Sequence, residues 1–204
     1  MHRILLLTAI FLVAACSPSA GGDGQRPAAA APAPAAAPEP PEPRNHTLTI
    51  VGYNYTDRYI DSFDAAGQGG GNLFLSGPSS GGGGGTCCIG FWSATPLPKK
   101  IKVDWTASYC KLTVKGSHGE TFVETAPFWR TADAYIHGPI PDNPGYLEVH
   151  FYKDGHVEVA VTTRPSPPRL QLPDGDNFVR PGTQAKDPPC PPDYDRVREW
   201  NRVR

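Results

Sequence analysis

The stretch "GYLEVHFYKDGHVEVAVTT", residues 145–163, decides the fold. Apolar and polar residues alternate on both sides of Lys153-Asp154-Gly155, the period of a half-buried strand. A two-residue turn at Asp154-Gly155 would set Phe151 opposite Glu158 and Val149 opposite Ala160, mixing both faces. A three-residue loop, Lys153-Asp154-Gly155 with a left-handed Gly155, instead sets Phe151 against Val157, Val149 against Val159 and Leu147 against Val161. That register gathers the apolar side chains on one face and predicts an antiparallel hairpin resting on a core. It also sets His150 opposite Glu158 on the other, solvent-side face, where a surface contact is expected rather than a catalytic dyad.

The same period recurs upstream. "HTLTIVGYNYT" (46–56) alternates Leu48 and Ile50 with Thr47 and Thr49, and "KIKVDWTASYCKLTV" (100–114) carries Ile101, Val103 and Trp105 on one face. Beyond Tyr109 the apolar set moves to Cys110, Leu112 and Val114, so a bulge or turn is expected near residues 107–109. After Thr163 the strand pattern stops: "RPSPPRLQLP" (164–173) and "KDPPCPPD" (186–193) read as extended Pro-rich segments running over the sheet. "DYDRVREWNRVR" (193–204) predicts a short helix with Asp193 at its N-cap, packing Trp200 onto the sheet. The fold expected is mainly β: a small antiparallel β-sandwich or sheet with a short C-terminal helix and Pro/Gly-rich loops.

The chain ahead of this domain has another character. His2 and Arg3 precede an apolar run from Ile4 to Val13, then Ala14, Ala15 and Cys16. The run is shorter than the roughly 20 residues that cross a bilayer. Val13-Ala14-Ala15-Cys16 resembles a bacterial lipobox, in which cleavage leaves Cys as the lipidated N-terminus. Residues 1–15 are therefore expected to be a signal peptide and Cys16 a lipid anchor. Ser17 in place of Asp implies, by the same resemblance, the outer membrane, with the protein facing the periplasm. Two or more acyl chains on one residue make such attachment stable. Residues 16–45, rich in Ala and Pro, are expected to be a disordered tether, because so few large apolar residues cannot offset the ordering entropy. Residues 46–204 are then a single β-rich domain stapled by disulfides.

With 19 Lys and Arg against 20 Asp and Glu the formal charge is −1, and no basic stripe argues for nucleic acid. The glycine runs at 69–71 and 81–85 lack the surroundings of a phosphate loop and read as flexible loops. The histidines show no HExxH spacing and no GxSxG elbow occurs, so no catalytic residue, metal or cofactor is expected. Setting Cys16 aside leaves Cys87, Cys88, Cys110 and Cys190, an even number suited to two disulfides in an oxidising compartment. A vicinal bridge strains the peptide. The parity that holds Ile89 and Phe91 inside also holds Cys87, and Cys110 shares a face with Leu112 and Val114, which favours Cys87–Cys110 and Cys88–Cys190.

"GYNYTDRYIDSF", residues 52–63, concentrates Tyr53, Tyr55, Asp57, Arg58 and Tyr59. Tyr and Arg carry binding energy at protein interfaces, so these five are the candidate partner-binding residues. The alternative is that Tyr53 and Tyr55 pack the end of the first strand while Asp57 and Arg58 form a local ion pair. "TIVGYNYTDRYIDSF", "GQGGGN" (67–72), the glycine run before "CC" and the closing "VREWNRV" together resemble a family of proteobacterial lipoproteins that share a domain of unknown function. The resemblance covers most of residues 47–203. It implies loci that encode type VI secretion lipase effectors, and hence a periplasmic immunity protein whose partner is a lipase effector. The other class open to the sequence is a structural or assembly lipoprotein of the cell envelope.

Overall fold

The computed structural model describes residues 42–201 apart from 174 and 184–186. The expected signal peptide, the lipidation of Cys16 and nearly all of the expected tether lie outside the described residues. Eight strands follow: β1 (Asn45–Tyr55), β2 (Ile60–Ala65), β3 (Gln68–Leu73), β4 (Gly82–Trp92), β5 (Lys99–Lys115), β6 (Thr121–Ile136), β7 (Tyr146–Tyr152) and β8 (Val157–Thr162). They form two four-stranded sheets in the orders β4-β1-β7-β8 and β3-β2-β5-β6. The fold is mainly β, as the alternation requires.

The deciding hairpin is β7–β8. Phe151 pairs with Val157, Val149 with Val159, Leu147 with Val161 and His150 with Glu158, and Gly155 turns with φ +89°. The parity change in β5 is a register shift between Thr106 and Ser108 against β6. One pairing departs from an all-antiparallel sheet: β1 and β7 are parallel. Residues after β6 return the chain to the middle of β1, where the Thr49 amide donates to the Gly145 carbonyl (2.9 Å). Between the sheets lies a core that includes Leu48, Ile50, Phe63, Trp105, Leu147 and Phe151. Each such side chain contributes about 1.5–3 kcal/mol by leaving water.

Three expectations are corrected here. The glycine runs are not loops: Gly69, Gly70 and Gly71 lie in β3, and β4 begins at Gly82. A side chain at Gly70 would strike the Phe63 ring, and one at Gly83 would strike Leu73, so bare backbone lets β3 and β4 close that side of the sandwich. The disulfides join Cys87 to Cys88 and Cys110 to Cys190. Between the β1–β4 pairs Leu48–Ile89 and Ile50–Thr86, Cys87 and Cys88 together face the single residue Thr49, a β-bulge that breaks the parity used to place Cys87 inside. Cys87 is accordingly exposed. Cys190 reaches Cys110 because its segment docks on the open edge of β5: Lys111 donates to Pro188 and Cys190 donates to Lys111 (2.8 and 2.9 Å). Finally, residues Arg196–Asn201 wind through one short helical stretch, capped by Asp195 rather than Asp193. It is too brief to count as a helical layer, so the expected C-terminal helix is not part of the architecture. The expected packing of Trp200 lies outside the described side chains.

Candidate interaction surface

The chain leaves β1 at Tyr55 and enters β2 at Ile60 through a turn that Asn54 organises. The Asn54 Oδ1 accepts from the Thr56 amide (3.0 Å) and hydroxyl (2.6 Å). Its Nδ2 donates to the carbonyls of Arg58 (2.8 Å) and Leu73 (3.3 Å). An Asn side chain that imitates backbone in this way fixes the turn and the direction in which Tyr59 departs.

Tyr53 and Tyr55 fall on the outer face of the first sheet, beside the β7 residues His150 and Tyr152 that pair with them. That face is not solvated. Residues 164–173 cross it as a strap, and Tyr53, Tyr55, Glu148 and His150 are at most 2% exposed. The strap is held by polar groups in sequence. The Arg169 amide donates to the Tyr55 hydroxyl (2.7 Å), which lies 3.2 Å from His150 Nδ1. His150 Nε2 lies 3.3 Å from Glu148 Oε2. Glu148 Oε1 accepts from the Ser166 amide (2.6 Å) and the Thr162 hydroxyl (3.1 Å), and the Tyr53 hydroxyl donates to the Ser166 carbonyl (2.6 Å). With Tyr55 donating to Nδ1, the network assigns the imidazole proton to Nε2, facing the carboxylate. Tyr53 stacks on the same imidazole with centroids 4.4 Å apart.

Burial sets the charges of this layer. It pushes the Tyr53 phenol up to about 12, helped by the Glu148 charge, and raises Tyr55 as well. It depresses His150 against the opposing pull of Glu148. Burial also acts to raise Glu148, but hydrogen bonds from His150 and Ser166 outweigh it and hold that carboxyl below its ordinary value. The resulting state is a neutral imidazole between a carboxylate and two unionised phenols, which suits the fastening of a strap. The expectation of a solvent-side His150 is therefore corrected, as is that of Tyr53 and Tyr55 as accessible anchors. The alternation read from the sequence was right, but the Pro-rich segment turns the outer face into an interior.

Asp57, Arg58 and Tyr59, in the other half of the motif, are half-buried. Asp57 and Arg58 do not pair with each other: Asp57 meets Lys153 (3.0 Å) and Arg58 meets Asp187. Tyr59 leads into a cluster with Phe74 and Phe178, whose ring centroids stand 5.3, 5.2 and 5.5 Å apart around the three pairs. Phe74 is 37% and Phe178 53% exposed. Beside them a cleft of about 460 Å³ is lined by Arg58, Tyr59, Asp61, Tyr109 and Phe178.

Phe178 comes from the tail and reaches this place because of Arg180, which the sequence reading missed. The buried Arg180 guanidinium donates to the carbonyls of Thr56 (2.7 Å), Asn54 (2.8 Å) and Ser76 (3.2 Å). Its backbone amide donates to Asp57 (3.1 Å), and the Tyr59 amide donates to Phe178 (2.8 Å). One cation thus ties three loops together. No local pattern marks it, since its three shortest hydrogen bonds go to backbone carbonyls more than a hundred positions away and only the longest, to Pro173 (3.4 Å), is near in sequence. Among the described residues, no group of three or more His, Cys, Asp or Glu is placed to hold a metal ion.

These features define a two-sheet β domain with one outer face sealed by a strap and an aromatic cluster bare at the end of β1. The chain belongs to a family of proteins of unknown function, DUF3304, whose model matches residues 53–159. That match runs from Tyr53 in β1 to Val159 in β8 and stops short of the strap and the Arg180 clasp. No curated protein and no solved structure matches the chain.

Proposed function

We propose that this protein is a lipid-anchored binding module of the outer membrane, facing the periplasm, that acts as an immunity protein: it neutralises a type VI secretion phospholipase effector by stoichiometric binding. The observation that carries the reading is the cluster of Tyr59, Phe74 and Phe178, three rings in mutual contact and partly exposed where Asn54 and Arg180 tie the β1–β2 turn to the tail. Preformed aromatic groups beside an Arg are the surfaces on which protein association concentrates its energy. Location is supported by the order of apolar run, small residues and Cys16 in the sequence. Binding of this kind needs no chemistry from the domain itself.

The test is protection. Cells expressing the neighbouring effector in the periplasm should survive with the intact gene and die without it. Tyr59→Ala and Phe178→Ala should each weaken binding of the purified pair by about 2 kcal/mol, or roughly thirtyfold. If cells lacking the gene are unharmed, the immunity reading fails and a structural role in the envelope takes its place. If deletion kills but both variants protect fully, immunity stands and the binding surface lies elsewhere.

A further inference from the structure

The opposite end of the sandwich carries its own exposed apolar groups. The ten steps of β1 from Asn45 to Tyr55 separate the two ends by about 33 Å. At the starting end Asn45 pairs with Trp92. Arg44 is pinned to Ser93 by two hydrogen bonds, Ser93 amide to Arg44 carbonyl (2.9 Å) and Arg44 amide to Ser93 Oγ (2.8 Å). The chain that leads back to Cys16 therefore departs from beside Trp92.

Trp92 is 47% exposed, Leu97 39% and Tyr135 46%. Trp92 ends β4 and Leu97 lies in the loop that follows, residues 93–98. Leu97 packs against the loop 137–141, where a Cβ on Gly138 would stand 3.2 Å from its Cδ1. That second loop supplies Pro139, Ile140 and Pro141 beside a shallow cleft of about 460 Å³. Lys99 and Lys100 follow Leu97 after Pro98. Lys100 pairs with Asp133 at 3.1 Å while both stay half exposed, and Lys99 stands over the Phe91 ring.

We infer that this end of the domain docks on the phospholipid surface, with Trp92 and Leu97 entering the interface and Tyr135 and the two lysines at headgroup depth. The inference rests on the reading of Cys16 as a lipid anchor. Three observations favour lipid over a protein partner: the point of departure of the tether, the pairing of Trp and Tyr with Lys, and the exposure of Leu97 on a loop. Trp and Tyr favour the boundary because an apolar ring can be buried while its polar atom stays hydrated. An anchor also holds the domain at high effective concentration near the bilayer, so a contact too weak to bind a free protein suffices.

The probe is a vesicle of phosphatidylethanolamine and phosphatidylglycerol doped with brominated-chain lipid and a nickel-chelating lipid. The full mature chain, with Cys16→Ser and an amino-terminal hexahistidine, is held on it without any acyl group. Tryptophan emission should be quenched by the bromine, and Trp92→Phe should remove most of that quenching while leaving the melting temperature unchanged. Unquenched emission in the parent, or quenching that survives Trp92→Phe, overturns the inference. So does a lipid-free dimer that Trp92→Ser/Leu97→Ser converts to monomer, which would make the patch an interface between copies. Lipidation is tested apart, by membrane fractionation of the native chain against Cys16→Ser. Loss of that anchor would leave the quenching result standing by itself.

Discussion

Two aromatic clusters arise from one short motif, and they meet opposite fates. Tyr53 and Tyr55, with His150 and Tyr152, lie beneath residues 164–173, whereas Tyr59, itself half-buried, joins Phe74 and Phe178 in a cluster left partly exposed. The motif contributes tyrosines to both. What differs is the cover: the outer face of β1 and β7 offers hydroxyls, an imidazole and a carboxylate that a strap backbone can satisfy, while the bare cluster offers mainly rings. A polar layer can be covered only if the covering element supplies partners, because its groups cost free energy if buried without them, and here the strap backbone does so. The aromatic cluster, which would gain from cover, is left partly exposed.

The sharpest way to break the comparison is to truncate one ring in the covered cluster. Tyr55→Ala removes a buried ring and leaves His150 Nδ1 and the Arg169 amide without their partner. We expect a loss of about 4 kcal/mol in urea unfolding. Tyr55→Phe, which keeps the ring, should lose about 1–2 kcal/mol. Equal losses would mean that the hydroxyl alone fastens the strap.

Next in size is the clasp that supports the bare cluster. Arg180→Met keeps much of the apolar stem but leaves the Ser76 carbonyl buried without its Arg donor and takes one of two donors from the Asn54 carbonyl, which keeps the Ser76 amide. The expected cost is about 2–3 kcal/mol, measured as a shift of the urea midpoint. Hydrogen exchange should rise first at Tyr59, whose amide depends on the Phe178 carbonyl. Protection unchanged at Tyr59 would show that the tail is held by other contacts.

Acid sharpens the contrast further, because the covered cluster holds a buried imidazole and a buried carboxylate. The folded-state pKa of His150 lies below its ordinary 6.5, so the unfolded chain takes up the proton first. The stability this residue supplies is present above about 6.5 and is lost as pH falls through that value toward the folded pKa. Glu148 is held below 4.5, so its contribution is present above that value and is lost as pH falls below it. Urea midpoints should therefore drop between pH 7.5 and 5.5, and the drop should shrink in His150→Gln. The surrounding groups are Glu148, Glu158, Arg169 and the three tyrosines Tyr53, Tyr55 and Tyr152. A midpoint that does not change with pH would place the imidazole in contact with water.

Much of the sandwich was legible because alternation is local. The β7–β8 register, the turn at Gly155 and the bulge near Ala107 all follow from which neighbours must share a face. What the sequence hid was set by distant partners. Whether His150 faced solvent depended on residues 164–173 fastening over it. Cys190 found Cys110 because the edge of β5 lay open to its segment, and the bulge at Cys87 and Cys88 shifted a parity that the apolar pattern alone seemed to fix. Of the five candidate binding residues, Tyr59 stands in the bare cluster, Asp57 and Arg58 are tied to other loops, and Tyr53 and Tyr55 are interior.

The smallest expected effect on stability belongs to the bare cluster and is the most informative. Phe178 is about half exposed, and its truncation removes ring contacts with Tyr59 and Phe74 while the backbone around it stays tied by Tyr59 and Arg180. Phe178→Ala should thus cost no more than about 0.5–1 kcal/mol of folding free energy, within the range of surface substitutions. A residue kept for packing would show its value in that number, and one kept for association would show it only when a partner is present. Melting temperatures of Phe178→Ala and Tyr55→Ala, measured side by side, separate the two: a loss at Phe178 as large as that at Tyr55 would mean that the exposed rings stabilise the fold after all, and the distinction between a covered and a bare cluster would fall.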